Sequence, residues 1–140
     1  MLDQAQTELS FHTNGCGLYE ISRSVNDWLR TTGLKNGLLT VFIKHTSASL
    51  TIQENADPDV CLDLTDALER LAPSDPRLYR HIAEGPDDMP AHIKAALTDV
   101  SLSIPVNNGR MTLGTWQGLY IAEHRRAPHT RYVTLHLIGS

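Results

Sequence analysis

The last third of the chain constrains the fold most, because its apolar residues recur with a period of two. Four strands are predicted there, at residues 102–106, 110–113, 118–124 and 131–138. Alternation of apolar and polar side chains is typical of strands that bury one face of a sheet. The Asn-Asn-Gly sequence at 107–109 predicts a tight turn between the first two strands. Much of the core must therefore come from paired strands.

One helical pattern is clear in the middle of the chain. Asp57 can cap the first backbone amides of a helix, and Pro58 suits the first helical position. Apolar residues then recur at three- and four-residue spacing until Pro73, which defines the buried face of an amphipathic helix. A second, shorter helix is predicted to begin near Pro90.

An earlier helix is predicted from apolar residues that share one face, namely Val25, Trp28 and Leu29. Ser22 and Ser24 are both candidate N-caps for this helix. Gly33 is placed to end it, because glycine accepts the left-handed conformation that often follows a helix.

The remaining segments are predicted strands. Residues 7–13 and 18–22 form a predicted hairpin around the glycine-rich turn 14–17. Residues 37–43 are continuously apolar, which is typical of a strand buried on both faces, and residues 50–52 are predicted to be its neighbour. The order of strands, helix, strands, helix and strands favours an α+β fold with mainly antiparallel pairing.

Length and charge fit one soluble domain over residues 1–140 and exclude several classes of protein. The chain has 16 acidic and 12 basic residues, a formal net charge of −4, and no cluster of basic residues, so no general nucleic-acid partner is expected. The sequence shows no signal-peptide pattern and no apolar run that could span a membrane. With only two cysteines, at unrelated positions, we expect a cytoplasmic location and no membrane partner.

Seven histidines make up an unusual share of the chain. His45, His92 and His124 each lie at the end of a predicted element, where site residues commonly occur. A nearby helix N-terminus favours neutral imidazole at His92, and three neutral imidazoles with an open fourth position suit zinc as a Lewis acid. Their spacing alone favours isolated polar side chains at the rim of a sheet. The other four are predicted to be surface or locally hydrogen-bonded residues: His12, His81, His129 and His136.

Hydroxyl and carboxyl groups surround two of these histidines in the sequence. Residues 45–49 place three hydroxyls beside His45, where they can hold a phosphate or simply line an ordinary turn. Glu54 lies at a predicted strand end, where a carboxylate can orient an imidazole or move a proton. Asp87 and Asp88 can hold Mg²⁺ against a pyrophosphate, although the helix dipole alone also favours acids at a helix start.

The familiar motifs of several enzyme classes are absent. The chain has no Gly-x-Ser-x-Gly elbow, Walker phosphate loop or dinucleotide-binding fingerprint. Residues 114–118 place Trp116 and Gln117 between glycines, which indicates a close backbone approach, a bend between strands or a subunit contact. Packing in the core is the more common fate of a tryptophan.

Several segments together resemble the YjbQ-type family, which is sometimes described as secondary thiamine-phosphate synthases. The matching segments occur in order between residues 45 and 125: HTSASLTI at 45–52, ENADP at 54–58, GPDDMPAHIK at 85–94, SIPV at 103–106, GR at 109–110, LGTWQG at 113–118 and EHR at 123–125. Gln53 departs from the asparagine expected in that family, which puts one polar contact in doubt. The resemblance implies a single YjbQ-like domain of the α+β class, with its sheets in a β-sandwich-like arrangement.

The resemblance also implies a homotrimer with a site near the subunit boundary. That site is expected to contain a divalent metal ion, with zinc as the candidate, bound by His45, His92 and His124. The implied activity is that of a thiamine-phosphate synthase-like transferase, which joins a hydroxymethylpyrimidine diphosphate to a thiazole phosphate and releases pyrophosphate.

Roles for individual side chains follow from that expected reaction. Ser47, Ser49 and Arg125 are expected to bind the small phosphorylated substrate, because hydroxyl and cationic donors suit phosphate oxygens. Glu54 is expected to act with His92 and His124 in catalysis as an orienting group or proton acceptor, with Mg²⁺ as a companion of a pyrophosphate substrate.

Two other functions stay open at this point. One is a metal-dependent phosphate-ester hydrolase, in which the ion activates water. The other is a non-catalytic trimeric module that binds a metal ion or a small metabolite. Hydrolysis without a coupled product would favour the first, and ligand affinity without turnover would favour the second.

Overall fold

Two antiparallel sheets and three helices form the structure, a computed structural model that describes residues 1–140. In chain order the elements are β1 (Asp3–Thr13), β2 (Gly17–Glu20), α1 (Ser22–Thr32), β3 (Gly37–Ile43), β4 (Ala48–Glu54), α2 (Pro58–Leu71), α3 (Asp88–Leu97), β5 (Ser101–Asn107), β6 (Arg110–Met111), β7 (Gln117–Glu123) and β8 (His129–Gly139). The larger sheet has the strand order β1-β8-β3-β5-β6, and the smaller sheet has the order β2-β7-β4. This arrangement confirms the α+β class with antiparallel pairing.

The hydrophobic core lies between the two sheets. Alternate residues of β3 and β8 are buried there, and α1 adds Val25 and Leu29 from its inner face. Strand β7 is buried from Gly118 onward, because α2 and α3 pack on its neighbours β2 and β4 and cover the outer side of the smaller sheet. The smaller sheet is therefore a middle layer, and charged residues at the end of β7 lie well inside the protein.

Helices α2 and α3 set the positions of the candidate site residues. As predicted, Asp57 caps α2: its Oδ1 accepts a hydrogen bond of 2.9 Å from the backbone N–H of Asp59. Helix α3 begins at Asp88, two residues before the predicted start at Pro90. This earlier start places Asp88 and His92 one turn apart on the same helix face. None of the three helices combines the length and the apolar composition that a membrane span needs.

Helix α1 ends as predicted but begins differently. Gly33 follows it with φ 73°, in the left-handed conformation that glycine accepts readily. Neither Ser22 nor Ser24 caps its N-terminus, because the N-cap residue is Ile21 and no side chain bonds the first turn. The hydroxyl of Ser22 instead accepts a hydrogen bond from the backbone N–H of Leu119, which ties α1 to β7.

The predicted hairpin between β1 and β2 is wrong. β1 pairs with β8 over eleven residues, from Asp3 with Gly139 to Thr13 with His129, and β2 pairs with β7 in the other sheet. The turn at residues 14–17 carries the chain from one sheet to the other, helped by positive φ angles at Gly15 and Gly17. β2 has only four residues, so β8 satisfies many more backbone groups of β1 than β2 could.

The neighbours of β3 also differ from the prediction. The segment 37–43 is a strand as predicted, but only one of its faces is buried, with Leu38 and Phe42 exposed on the other. It pairs with β5 and β8, whereas β4 pairs with β7. The predicted hairpin of β5 and β6 is confirmed, with Val106 opposite Met111 and positive φ at Asn108 and Gly109. Local turn chemistry therefore predicted this hairpin correctly, whereas the long-range pairings had to come from the structure.

Replacing Asp57 with alanine should lower the free energy of unfolding by about 1 kcal/mol, because the first turn of α2 loses its side-chain cap. Urea denaturation followed by circular dichroism measures this change. Asp57→Asn is the matched control, since asparagine caps helices about as well as aspartate. Equal stability of the alanine variant and the native chain would contradict a capping role.

Candidate metal centre

Three side chains with metal-binding atoms converge where α3 begins: His81, Asp88 and His92. Their ligating atoms all lie within 4.8 Å of one another. The Nε2 atom of His81 is 2.6 Å from Oδ2 of Asp88, and the Nε2 atom of His92 is 3.0 Å from the same oxygen. The ligating atoms of two imidazoles and one carboxylate thus surround one position. The fourth side of this position is open to solvent, because the side chain of His81 is 42% exposed.

The other ring nitrogen of His92 fixes its tautomer. Nδ1 lies 2.9 Å from the backbone carbonyl oxygen of Thr46, which can only accept, so Nδ1 carries the proton. In the neutral ring, Nε2 then directs its lone pair at a carboxylate oxygen of Asp88, which is also an acceptor. Two acceptors at this distance repel unless a proton or a metal ion lies between them. Histidines that bind metal ions commonly donate their second N–H to a backbone carbonyl in this way.

Arg125 holds the carboxylate of Asp88 in place from the opposite side. Its Nη1 donates to Oδ1 of Asp88 at 2.6 Å, its Nε donates to Asp87 at 3.1 Å, and its Nη2 donates to the carbonyl of Glu84 at 3.0 Å. Burial raises the pKa of Asp88, but the hydrogen bond from His81, the charge that His92 carries when a proton occupies its Nε2, and the charge of Arg125 outweigh burial and leave this pKa below its ordinary value. Asp88 is therefore ionised, as a metal ligand must be.

The donor set fits a divalent transition metal. Two imidazole nitrogens and one carboxylate oxygen with open positions suit ions such as Zn²⁺, whereas Mg²⁺ prefers oxygen ligands alone. Asp87 does not join Asp88 in a bare carboxylate pair, because its Oδ2 accepts from Nε of Arg125 and from the backbone N–H of Arg126. Arg125 therefore contacts both neighbouring acids, but only Asp88 also contacts the two histidines.

A cavity of about 380 Å³ adjoins this centre. His92 belongs to both, and Thr46, Ser49 and Thr98 contribute hydroxyl groups to the cavity wall. His45 and small apolar side chains complete the lining, so the wall combines hydrogen-bonding groups with apolar surface. The cavity and the centre are therefore linked through His92.

His124 lies behind the cavity wall and is 3% exposed. Its Nε2 is 2.9 Å from Oγ of Ser49, which also accepts a hydrogen bond from the hydroxyl of Thr98. Burial, and then the charge of Lys94, lower the pKa of His124 to about 4, so its imidazole is neutral at pH 7. Neutral His124 can donate a hydrogen bond to Ser49 or accept one from it, depending on its tautomer, but it does not belong to the cluster around Asp88.

His45 lines the cavity but has both ring nitrogens directed at donors. Nε2 accepts from the backbone N–H of Tyr132 at 2.8 Å, and Nδ1 is 3.4 Å from Nη1 of Arg131. Burial, and then Arg131, lower the pKa of His45 below its usual value. Within one chain, the structure brings His45 and His92 to the same cavity without gathering them with His124 into one ligand set. The three-histidine metal site stays a prediction.

The remaining candidate residues have structural partners. Oγ of Ser47 accepts from Nη2 of Arg131 at 3.1 Å. Oε2 of Glu54 accepts from the backbone N–H of Asp57 at 3.2 Å, which helps to fix the start of α2. The side chain of Trp116 is 64% exposed, so it does not follow the common pattern of core packing.

Side chains, rather than another backbone segment, crowd Gly118 near Trp116. A Cβ atom there would meet Oε2 of Glu20 at 2.6 Å and Cε2 of Tyr120 at 2.9 Å. A larger residue at this position would therefore require both side chains to shift.

Sequence reasoning missed two elements of this site. The sequence pattern assigns His81 to the surface and places Asp88 before the helix. It therefore does not predict that both residues lie close to His92. The i, i+4 spacing of Asp88 and His92 is a usable signal, but only when α3 is predicted to begin two residues earlier. The buried ion pair of Glu123 and Arg131, whose side chains are 0% and 4% exposed, was also missed because the two residues lie in different sheets.

Comparisons with known proteins give a consistent family. A family model described as "UPF0047 protein YjbQ-like" matches residues 7–140. The UPF0047 protein sll1880 of Synechocystis is 52% identical over 136 residues, which cover 97% of this chain and 92% of that protein. The UPF0047 protein YugU of Bacillus subtilis is 38% identical over 87% of this chain and 89% of that protein. The crystal structure of the conserved hypothetical protein TT1486 from Thermus thermophilus superposes with a TM-score of 0.85, at 37% identity over 94% of this chain and 98% of that one.

These comparisons overturn the expected thiamine-phosphate synthase activity. The family description and the names of the relatives identify UPF0047 and YjbQ-like proteins, and none of them refers to thiamine-phosphate synthesis or to a transferase. The resemblance to the YjbQ-type family is confirmed, whereas the specific reaction inferred from it is wrong.

Acid should destabilise the folded chain through His124. Its pKa is about 4 when folded and near the ordinary value of 6.5 when unfolded, so the unfolded state binds more protons between these values. Stability should therefore fall as the pH drops from 6.5 to 4, by roughly 3 kcal/mol from this group. Urea denaturation at several pH values measures the slope. His124→Gln should flatten it, and the exposed His12→Gln should not. Equal slopes in the native chain and in His124→Gln would contradict the assignment.

Proposed function

The chain belongs to the family of YjbQ-like UPF0047 proteins, and from the geometry of its site we propose that it binds a divalent metal ion at His81, Asp88 and His92. One observation carries this proposal: the Nε2 atoms of two histidines meet the same carboxylate oxygen, while Nδ1 of His92 donates to a carbonyl. Protons on the imidazoles bridge these atoms when no metal ion is bound, and one divalent cation would take the place of those protons. The ionised state of Asp88 and its fixed orientation by Arg125 support the same role.

Zinc is the ion that this donor set suits best. It accepts imidazole nitrogen and carboxylate oxygen together, and it tolerates an open position for a ligand. When bound, such an ion supplies a Lewis acid that polarises an oxygen atom of the ligand. The protein's own groups act around it: Arg125 orients Asp88, and the carbonyl of Thr46 orients His92.

The ligand that we propose for the adjoining cavity is a small phosphorylated metabolite. Ser49 and Thr98 offer hydroxyl groups to phosphate oxygens, and the apolar part of the wall accommodates a small organic group. When Nε2 of neutral His124 carries the ring proton, His124 donates to Ser49 Oγ, and the hydroxyl proton of Ser49 is then available to a phosphate oxygen. The proposal assigns binding to this cavity and no particular bond-breaking step.

We also propose that the chain assembles as a homotrimer through the outer face of the larger sheet. Leu38, Phe42, Tyr132 and Ile138 are each between 41% and 49% exposed on adjacent strands β3 and β8, and Leu38 is opposite Ile138. Apolar side chains concentrated on one face are typical of protein contacts. Further copies of the chain would remove this face from water.

A cytoplasmic location is the last part of the proposal. Cys16 and Cys61 are both free. Free thiols persist in a reducing compartment, whereas secreted domains commonly pair them.

Zinc affinity tests the metal centre directly. His81→Gln and His92→Gln should each weaken Zn²⁺ binding by more than about tenfold, because each removes one of three ligands. Competition with a chromophoric chelator measures the affinity, and elemental analysis of protein purified without added metal checks the native ion. His45→Gln and His124→Gln are matched controls that should keep the affinity within about twofold. If Zn²⁺ affinity fell in these controls and did not fall in His81→Gln, the result would contradict this centre and favour the three-histidine site.

Light scattering after size-exclusion chromatography tests the assembly. Phe42→Lys should convert the trimer to a monomer, because a charge in the centre of an apolar contact is costly to bury. Leu62→Lys introduces the same charge on α2, where the native side chain is 61% exposed, and should leave the trimer intact. A monomeric native chain, or a trimer broken only by Leu62→Lys, would contradict the proposed face.

A further inference from the structure

A trough of basic side chains runs along the exposed face of α1 and shares no lining residue with the metal centre or its cavity. Arg23 and Arg30 lie on α1, Lys35 follows it, and Arg110 lies on β6. Two cavities of about 560 and 330 Å³ lie side by side here, and both are lined by Arg30 and Arg110. The larger cavity has no hydrophobic residue in its lining. Polar walls of this kind suit a hydrated or charged ligand better than an apolar one.

Most of these cations lack an acidic partner. Arg30 forms an ion pair with Asp27, whereas Arg23, Lys35 and Arg110 form no ion pair and no side-chain hydrogen bond. Seven of the twelve lysine and arginine residues in the chain are in ion pairs, which leaves five without one, and three of those five line this trough. Positive charge is thus concentrated here in a chain whose net charge is −4.

The acidic residues of the trough offset only part of its charge, because Glu20 and Asp27 supply two negative charges against the four positive ones. Glu20 keeps its charge but forms no ion pair: its Oε2 accepts from Oγ of Ser22 at 2.9 Å and from Nδ2 of Asn55 at 3.2 Å. Asp27 is already paired with Arg30. Like charges that share a concave surface repel one another, and a bound anion relieves that repulsion.

An amide group adds a neutral donor to the same wall. Oδ1 of Asn26 accepts from the backbone N–H of Met111 at 3.0 Å, which fixes the orientation of the side chain. Its Nδ2 group has no protein partner and belongs to the lining of the larger cavity. Guanidinium and amide donors together are the groups that bind phosphate oxygens with defined geometry.

The length of the trough points to two anionic groups. Arg23 and Arg30 are seven residues apart on α1, a separation of about 10 Å along the helix axis. Arg30 and Arg110 lie where the two cavities meet, and Lys35 lies in the second cavity. A single phosphate would engage one part of this row. We propose that the trough binds a small metabolite that carries two separated phosphate groups.

Isothermal titration calorimetry with fructose 1,6-bisphosphate as the probe tests this proposal. The native chain should bind the bisphosphate at least about tenfold more tightly than fructose 6-phosphate, since the second phosphate adds charge-assisted hydrogen bonds. The double variant Arg23→Gln/Arg110→Gln should weaken bisphosphate binding by about tenfold or more. Circular dichroism confirms that this variant folds, as expected for exposed side chains without protein partners.

A charge-matched variant separates the trough from general attraction. Arg70→Gln/Arg80→Gln removes two unpaired arginines elsewhere and should change the affinity by less than about twofold at about 0.15 M salt, where distant charges are screened. His92→Gln should also leave the affinity unchanged, which distinguishes this trough from the metal centre. Equal weakening in both double variants, absence of bisphosphate binding, or tighter binding of a single-stranded oligonucleotide would each overturn the proposal.

Discussion

The buried ion pair of Glu123 and Arg131 is the interaction on which the rest of the structure depends. Glu123 ends β7 of the smaller sheet and Arg131 lies on β8 of the larger one, so the pair joins the two layers. Burying two charges is costly unless their remaining hydrogen-bonding groups are satisfied. Five donors meet the carboxylate of Glu123: two from Arg131, the hydroxyl of Thr13, and the backbone N–H groups of His124 and Arg125. The pKa of this carboxyl, which burial alone would raise, is held below its ordinary value by these contacts.

The same pair also positions the candidate site. By holding the backbone after β7, Glu123 directs His124 toward Ser49 and Arg125 toward Asp88. Arg131 contributes on the other side, where it contacts the loop that carries Ser47 and His45. The ion pair between the sheets therefore helps to position residues of both the metal centre and its cavity. Sites with preorganised ligands commonly depend on supporting contacts of this kind.

The sequence predicts local structure well where short-range chemistry decides it. Asp57 and Pro58 begin α2, Gly33 follows α1, and Asn108 with Gly109 turns the last hairpin, because each choice depends on a few neighbouring residues. Strand partners are decided by burial over the whole chain, which is why β1 and β2 separate into different sheets.

The candidate site shows the same difference between local features, which the sequence predicts, and long-range contacts, which it does not. His92 was identifiable from its place near a helix start, and it does lie at the centre of the candidate cluster. His81 approaches it from a preceding loop whose path has no local sequence signal. The spacing of residues likewise does not predict that Glu123 pairs with Arg131 of the other sheet, because the chain reverses direction between them. The predicted ligand set and the one proposed here differ because long-range geometry, which the residue types do not show, decides which side chains lie together.

The pairing of β1 with β8 has a consequence for synthesis on the ribosome. β8 lies between β1 and β3, so the facing edges of both earlier strands stay open until β8 has been synthesised. A nascent chain in which β8 has not yet emerged exposes these two edges at once, and unpaired edges of this kind can recruit other strands. The larger sheet therefore closes only when β8 inserts between two strands that precede it in the chain.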